Sequence, residues 1–254
     1  MPSSTEHPAL AYQQVSRRYA GVSALDAVSL TIARGSFVAL VGKSGSGKSS
    51  LLRLANRLDV PDDGRVLVDG QDVAHVDPIR LRRGIGYVFQ NIGLFPHMNV
   101  AENIGIVPRL EGKPPVDIAA ALERVGLAPD LADRMPAELS GGQQQRVGIA
   151  RALAGDGKLL LMDEPFGALD PVTRDTLGRN VRWLHDALGL TTILVTHDMA
   201  EALLLAERIV VMANGRIVAD ATPGEMLAGQ AGPDADALVA IPRAQARRLN
   251  QIAR

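Results

Sequence analysis

The chain has 254 residues, of which 46% are hydrophobic and 22% are charged. This balance is ordinary for a globular protein of one large domain, or of a domain with a subdomain. A formal net charge of −1 excludes a global basic surface for nucleic acid, and the absence of cysteine excludes disulfides and thiolate metal sites. The start of the chain shows no signal-peptide pattern, and no stretch approaches about 18 uninterrupted apolar residues. We therefore expect any role at a membrane to come through a partner.

Residues 10–41 are predicted to form strands. Val28, Leu30 and Ile32 alternate with smaller or polar residues, which is the period-2 pattern of a half-buried strand. Tyr19 lies in a polar turn at residues 17–21, where an aromatic ring could stack on a purine base. Packing of this ring on the sheet edge is the alternative.

A glycine-rich loop follows a predicted buried strand at residues 36–41. It fits the P-loop pattern G-x-x-x-x-G-K-[ST], and the apolar spacing after it predicts a helix, which completes the strand–loop–helix context that the motif requires. Glycines let successive backbone N–H groups point at a phosphate, and the helix adds its partial positive end. The sequence predicts nucleotide binding rather than a plain Gly/Ser turn, with these residues: Gly42, Lys43, Ser44, Gly45, Ser46, Gly47, Lys48, Ser49 and Ser50.

Two loop side chains have specific expected roles. Lys48 should reach the β- and γ-phosphates, and the Ser49 hydroxyl should ligate Mg²⁺. After the P-loop helix, residues 61–70 are predicted to form a turn and a hairpin, and residues 84–89 a second buried strand. Gln90 follows the end of that strand, where open α/β sheets bind ligands. It could contact Mg²⁺ or the attacking water, or be an ordinary surface glutamine.

Residues 91–155 are predicted to form a small helical subdomain inserted into the sheet domain. A proline interrupts the apolar stretch at residues 94–98, and helical patterns follow near 100–107 and 116–125. An exposed apolar tip would suit a partner's helix, and packing onto the main domain is the alternative. The Leu-Ser-Gly-Gly-Gln run at 139–143 then opens a helix over 144–154. Ser140 is a good N-cap, and the glycines suit close approach to an anion, although a simple capped helix has the same pattern.

Two adjacent acids end the next apolar strand, at residues 159–164, as in a Walker B motif. Asp163 would hold Mg²⁺, usually through water, and Glu164 would activate the attacking water as general base. Alternatively, these two acids would simply lie in a solvent-exposed turn. A tight turn at 165–170 and a long helix from Pro171 follow.

His197 stands at the end of a predicted core strand at 191–196 and could sense the γ-phosphate, or be structural. Residues 208–213 and 216–220 are predicted to form a hairpin. From Gly229 onward we expect a linker and a weakly amphipathic basic helix, or a solvated tail, which includes Arg243, Arg247, Arg248 and Arg254.

Taken together, these motifs resemble the ATP-binding subunit of an ABC transporter. The resemblance runs from about residue 9 to 228 and implies an α/β P-loop NTPase core with a mixed sheet, an N-terminal antiparallel β subdomain and an inserted α-helical subdomain. It also implies a head-to-tail homodimer that encloses ATP between one subunit's P-loop and the other's signature. The residues that carry the resemblance are the P-loop at 42–49, Gln90, the signature Leu139, Ser140, Gly141, Gly142 and Gln143, the pair Asp163 and Glu164, the turn Ala168, Leu169 and Asp170, and His197.

The same resemblance implies a role for each site residue. It assigns base stacking to Tyr19, the Q-loop to Gln90, the general base to Glu164 and the γ-phosphate switch to His197. It also places Asp170 in the nucleotide site. A membrane-embedded permease, and indirectly a substrate-binding protein, are the implied partners, so the chain would lie at the cytoplasmic face of the cell membrane.

A finer likeness is to importers of glycine betaine, choline, carnitine or proline. Runs at 56–58, 85–88, 94–98, 102–104, 106–108, 136–140 and 196–199 carry it. Lys43 and Ser50 depart from residues common in such importers without breaking the motif. Residues 229–254 are expected to be a short tail without a regulatory domain. The alternatives are an importer of another small solute, such as an amino acid or a sulfonate, a non-transport ABC ATPase acting on DNA or ribosomes, and a P-loop kinase or GTPase.

Overall fold

A computed structural model describes residues 7–90, 92–167 and 169–252. Ala168 and Arg254, both named above, lie outside these residues. The chain divides into two compact units, one up to Ala74 and again from Leu194, the other His75–Ile193. The strands are β1 (Leu10–Tyr19), β2 (Val22–Ile32), β3 (Phe37–Val41), β4 (Asp63–Val68), β5 (Gln71–Asp72), β6 (Ile85–Val88), β7 (Leu159–Asp163), β8 (Thr191–Thr196), β9 (Arg208–Ala213) and β10 (Arg216–Ala221). The helices are α1 (Lys48–Ala55), α2 (Pro78–Arg83), α3 (Val100–Leu110), α4 (Ile118–Arg124), α5 (Gly141–Leu153), α6 (Pro171–Leu188), α7 (Met199–Leu205), α8 (Pro223–Ala228) and α9 (Pro233–Ile252).

The first unit contains an antiparallel sheet and part of a mixed one. The antiparallel sheet has the order β2-β1-β4-β5. In the mixed part, β3 pairs in parallel with β9, and β9 pairs antiparallel with β10. Every residue of β3 is buried, and α1 buries Leu51, Leu52, Leu54 and Ala55. A hydrogen bond of 2.9 Å from the Tyr12 hydroxyl to the Leu51 carbonyl joins β1 to α1.

The second unit contains parallel strands and the helices of the subdomain. β6 pairs in parallel with β7, whose five residues are all buried. The strand predicted at 84–89 is shorter than expected and only half buried at Gly86 and Tyr87. Pro171 begins α6 at a position where its missing N–H costs nothing, and Gly189 ends the helix with a φ of 59°.

The chain beyond Gly229 is largely helical. α9 buries Ala235 and Val239, which are four residues apart and so lie on one helix face. The guanidinium of Arg243 donates hydrogen bonds to the carbonyls of Met226 and Leu227. The first half of α9 therefore packs against other elements of the first unit. Across the described ranges, no helix is both long and apolar enough to cross a membrane.

Candidate functional site

The P-loop joins β3 to α1, and its glycines are required by the backbone. Gly42 has a φ of 150°, and a Cβ there would lie 2.2 Å from the carbonyl oxygen of Met212. Gly47 has a φ of 103°, and its Cβ would lie 2.5 Å from the carbonyl oxygen of Ala24. Any side chain at either position would thus collide with backbone atoms that have no room to move.

Lys48 lies beneath the loop rather than on its surface. The side chain is 5% exposed, and its Nζ donates hydrogen bonds of 2.8 Å to the Gly42 carbonyl and 2.9 Å to the Lys43 carbonyl. Gly47 precedes α1 in a left-handed conformation and gives the helix no side-chain cap. The loop therefore combines a positive charge with an N-terminal helix end, an arrangement that suits a phosphate.

The remaining loop residues differ in exposure. Lys43, Ser44 and Gly45 are exposed, whereas Ser46 is buried. Ser49 and Ser50, in the first turn of α1, are half buried. The exposed loop residues border a cleft of about 590 Å³ in the first unit, whose other walls come from residues 211–214 and from Asp234, Ala237, Leu238 and Ile241 of α9.

Tyr19 ends β1, and 38% of its surface is exposed. Its hydroxyl donates a hydrogen bond to the carboxylate of Asp59. The ring is therefore tethered at one end while it keeps substantial surface toward solvent. His197, which is also in the first unit, is exposed and follows the end of β8, as the sequence predicted.

In the second unit, Gln90 and the Walker B acids come together. Asp163 is the last residue of β7 and is 5% exposed. The Gln90 side-chain amide donates a hydrogen bond of 3.2 Å to the Glu164 carboxylate. Glu164 has a φ of 47°, which is uncommon for a residue other than glycine and is typical of functional sites.

The signature run forms a capping box at the start of α5. The Gln143 backbone N–H donates to the Ser140 hydroxyl at 3.3 Å, and the Ser140 N–H donates to the Gln143 side chain at 2.8 Å. A Cβ added at Gly141 would meet no atom within 4 Å, so that glycine faces open space. Ser140 is thus the N-cap, as the sequence predicted.

Asp170 caps α6. It accepts hydrogen bonds from the backbone N–H groups of Val172 at 3.1 Å and Thr173 at 3.0 Å. Hydrogen bonds from the Thr173 side chain and backbone, followed by the one from Val172, hold the pKa of Asp170 below its usual value. The acid is therefore charged at neutral pH at a helix end that favours negative charge.

Two residues that belong to none of the predicted motifs make contacts that hold this part of the second unit together. Arg151 of α5 donates hydrogen bonds to the carbonyls of Gly93 at 2.8 Å and Ile92 at 3.1 Å, and its guanidinium lies 5.8 Å from the centre of the Phe95 ring. Asn103, buried on α3, accepts from the Phe95 N–H and donates to three carbonyls of the 95–99 segment. The positions of Arg151 and Asn103 in the sequence did not predict these contacts.

Comparison with protein families shows which family this chain belongs to. The family described as ABC transporter matches residues 25–167, which is more than half of the chain. The chain belongs to the ABC transporter family. This match includes the P-loop, the signature and the Walker B acids. The expected P-loop NTPase fold is confirmed, with its mixed sheet, antiparallel N-terminal sheet and helices.

Curated relatives of this ABC chain include ATP-binding proteins of transport systems. The glycine betaine/carnitine/choline transport ATP-binding protein OpuCA of Bacillus subtilis (strain 168) is 48% identical over 223 residues, which are 86% of this chain and 59% of that protein. The glycine betaine uptake system ATP-binding protein YehX of Escherichia coli (strain K12) is 46% identical over 220 residues, 85% of this chain and 71% of that protein. The chain thus spans less than two thirds of the length of the first of these relatives.

A solved ABC cassette has a similar structure. It is a dimeric post-hydrolysis state of the ATP-binding cassette MJ0796 bound to ADP and Pi. Its TM-score is 0.78 at 33% sequence identity, and the alignment covers 84% of this chain and 98% of that one. The similarity therefore extends over nearly the whole of the neighbouring cassette.

Proposed function

We propose that this ABC chain binds and hydrolyses ATP. The observation that carries the proposal is the P-loop, in which buried Lys48 lies between loop carbonyls at the uncapped start of α1. In this proposal the loop residues 42–50 hold the phosphates, Lys48 neutralises their charge, and Tyr19 stacks on the base. Glu164 polarises the attacking water, and Gln90 orients that carboxylate.

The side chains that the sequence predicted as metal ligands are suited to Mg²⁺. A carboxylate (Asp163), a hydroxyl (Ser49) and a side-chain amide (Gln90) all offer oxygen, the ligand that Mg²⁺ prefers. Asp163 is 5% exposed at the end of a buried strand, so an ionised carboxylate there gains from a cation. When bound, Mg²⁺ would neutralise charge on the transferred phosphate.

We further propose a head-to-tail homodimer. Each subunit would place Ser140, Gly141, Gly142 and Gln143, together with Asp170, against ATP held by the other subunit, and His197 would respond to the γ-phosphate. The dimeric state of the similar cassette supports this arrangement. Two composite sites in one dimer would then make activity depend on association.

The cargo proposed is a quaternary-amine osmoprotectant such as glycine betaine, choline or carnitine, or the imino acid proline. The names of the two relatives support the amine class. The chain would act at the cytoplasmic face of the membrane through permease subunits, with a substrate-binding protein as an indirect partner. Import of another small solute is the second candidate, because the ATPase does not itself select the cargo.

Nucleotide binding and phosphate release by purified chain test the ATPase proposal. The wild type should bind MgATP and release phosphate. Lys48→Ala should reduce binding or hydrolysis by at least about 100-fold, because it deletes the positive charge that the loop would offer to the phosphates. Lys113→Ala, which removes surface ion pairs with Glu111 and Asp156, is the matched control and should behave as wild type. Unchanged hydrolysis in Lys48→Ala would contradict the assignment.

A further inference from the structure

An ion-pair cluster lies against the ring of Tyr19. The guanidinium carbon of Arg17 is 4.9 Å from the ring centre. Arg17 Nη2 lies 2.8 Å from a carboxylate oxygen of Asp59, and Nη1 lies 2.7 Å from one of Asp62. Arg17 and Tyr19 are two positions apart on β1, a spacing that places side chains on one face of a sheet.

The two carboxylates are themselves held by other groups. Asp59 accepts the hydroxyl of Tyr19 and, at 2.8 Å, the backbone N–H of Val60. Asp62 accepts the backbone N–H of Arg18 at 2.6 Å. The cluster therefore contacts Tyr19 at two points. Arg17 lies against the ring face, and Asp59 accepts a hydrogen bond from the hydroxyl.

The charges in this cluster are stable at neutral pH. The contact with Tyr19 raises the pKa of Arg17, and the attraction of Asp59 and Asp62 adds to this against the effect of burial. Burial acts to raise the pKa of Asp59, but the hydrogen bonds from Tyr19 and Val60 and the charge of Arg17 outweigh it and lower that pKa. Only 20% of the Arg17 side chain and 15% of the Asp59 side chain are exposed. A guanidinium tied to two carboxylates stays on its ring face.

One ring face of Tyr19 is covered by this guanidinium, and 38% of the residue remains exposed. A planar base that stacks on this ring would lie on the face opposite the guanidinium. A cation on one face draws ring electron density toward itself, which reduces the repulsion that an electron-rich base meets on the other face. A ring fixed before the base arrives also loses less conformational freedom on binding.

We propose that Arg17 is a positioning residue for base recognition: it fixes and polarises the Tyr19 ring on which the adenine of ATP stacks. The proposal rests on the proposed ATP-binding function. In this arrangement the ring would lie between Arg17 and the base. The effect of Arg17 should therefore depend on the presence of the base and not on the phosphates.

Titration calorimetry with two ligands tests this role. MgATP carries the base, and magnesium tripolyphosphate carries only the phosphates. Arg17→Met keeps the aliphatic stem and removes the charge, so the Kd for ATP should rise about threefold to tenfold while that for tripolyphosphate stays within about twofold. Arg17→Lys should restore part of the loss. Arg34→Met, which breaks the exposed ion pair of 2.7 Å with Asp69 in the same unit, should change neither Kd.

Each other result overturns the proposal. Equal weakening of both ligands by Arg17→Met would show that Arg17 only supports the loop. Tighter ATP binding would show that the guanidinium occupies the place of the base. If Arg17→Met does not fold, Asp62→Asn decides: it removes a carboxylate charge that holds Arg17 and leaves the Tyr19 ring intact, and it must weaken ATP selectively. A wild-type chain that bound neither ligand would refute ATP binding itself, whereas normal wild-type affinity with no ligand-selective loss would refute only the role of Arg17.

Discussion

The Gln90 side-chain amide donates a hydrogen bond of 3.2 Å to the carboxylate of Glu164. These residues follow β6 and β7, two parallel strands that are neighbours in the second unit. The bond therefore fixes the orientation of the proposed base from the adjacent strand, while the φ of 47° at Glu164 turns the chain sharply away from β7. A neutral amide holds the carboxylate without removing its charge.

Gln90→Ala should slow hydrolysis more than it weakens ATP binding. The change removes a hydrogen bond that helps to orient the Glu164 carboxylate toward the water, and we expect kcat to fall about tenfold. Steady-state phosphate release and fluorescent-nucleotide binding measure the two effects. Gln230→Ala, an exposed glutamine after α8, is the control and should match wild type. An unchanged kcat in Gln90→Ala would contradict the positioning role.

Arg151→Ala should destabilise the second unit. Burial lowers the pKa of Arg151, yet its guanidinium holds the carbonyls of Ile92 and Gly93. Removing these bonds leaves two carbonyls without that donor, and the free energy of unfolding should fall by about 2–3 kcal/mol. Urea denaturation followed by circular dichroism measures this, with the exposed Arg124→Ala as control. A loss no larger than in the control would show that the contacts contribute little to stability.

Asp170→Asn should reveal a pH-dependent part of the stability. Asparagine also caps helices, so this change removes the charge and keeps the cap. Because the folded-state pKa of Asp170 is lowered, its charge stabilises the fold above the unfolded-state pKa of about 3.9, and that contribution disappears as pH falls through the folded-state value. Wild type should therefore be more stable than Asp170→Asn at pH 7, and the difference should shrink below about pH 4. A gap that is the same at pH 7 and in acid, measured by chemical denaturation, would contradict this.

Two kinds of element could be predicted from the sequence: those with a clear pattern of apolar residues, and loops whose backbone requires glycine. The buried runs of β3 and β7 are almost wholly apolar, β8 is a buried run rich in β-branched residues, and Gly42 and Gly47 mark a loop that admits no side chain. Ser140 also signals its helix start by the glutamine three residues later. These features depend only on residues close together in sequence, so they can be predicted from one sequence alone.

Contacts between distant residues could not be predicted in the same way. Arg17 meets Asp59 across 42 positions of sequence, and Arg151 meets Ile92 across 59. Neither arginine belongs to a recognisable motif, and an arginine in a strand or helix is usually solvated. The packing of the first half of α9 could not be predicted either, because apolar residues follow one another at 237–241 and do not show which helix face is buried.

The most direct test compares ATP turnover in wild type and Glu164→Gln, with Glu123→Gln, an exposed glutamate of α4, as the matched control. Glu164→Gln keeps the shape of the side chain and removes the basic oxygen. We expect an ATP Kd within about twofold of wild type and a single-turnover hydrolysis rate lower by at least about 100-fold, since a general base contributes about that much or more. Near-normal hydrolysis by Glu164→Gln would contradict the claim that this carboxylate activates the attacking water.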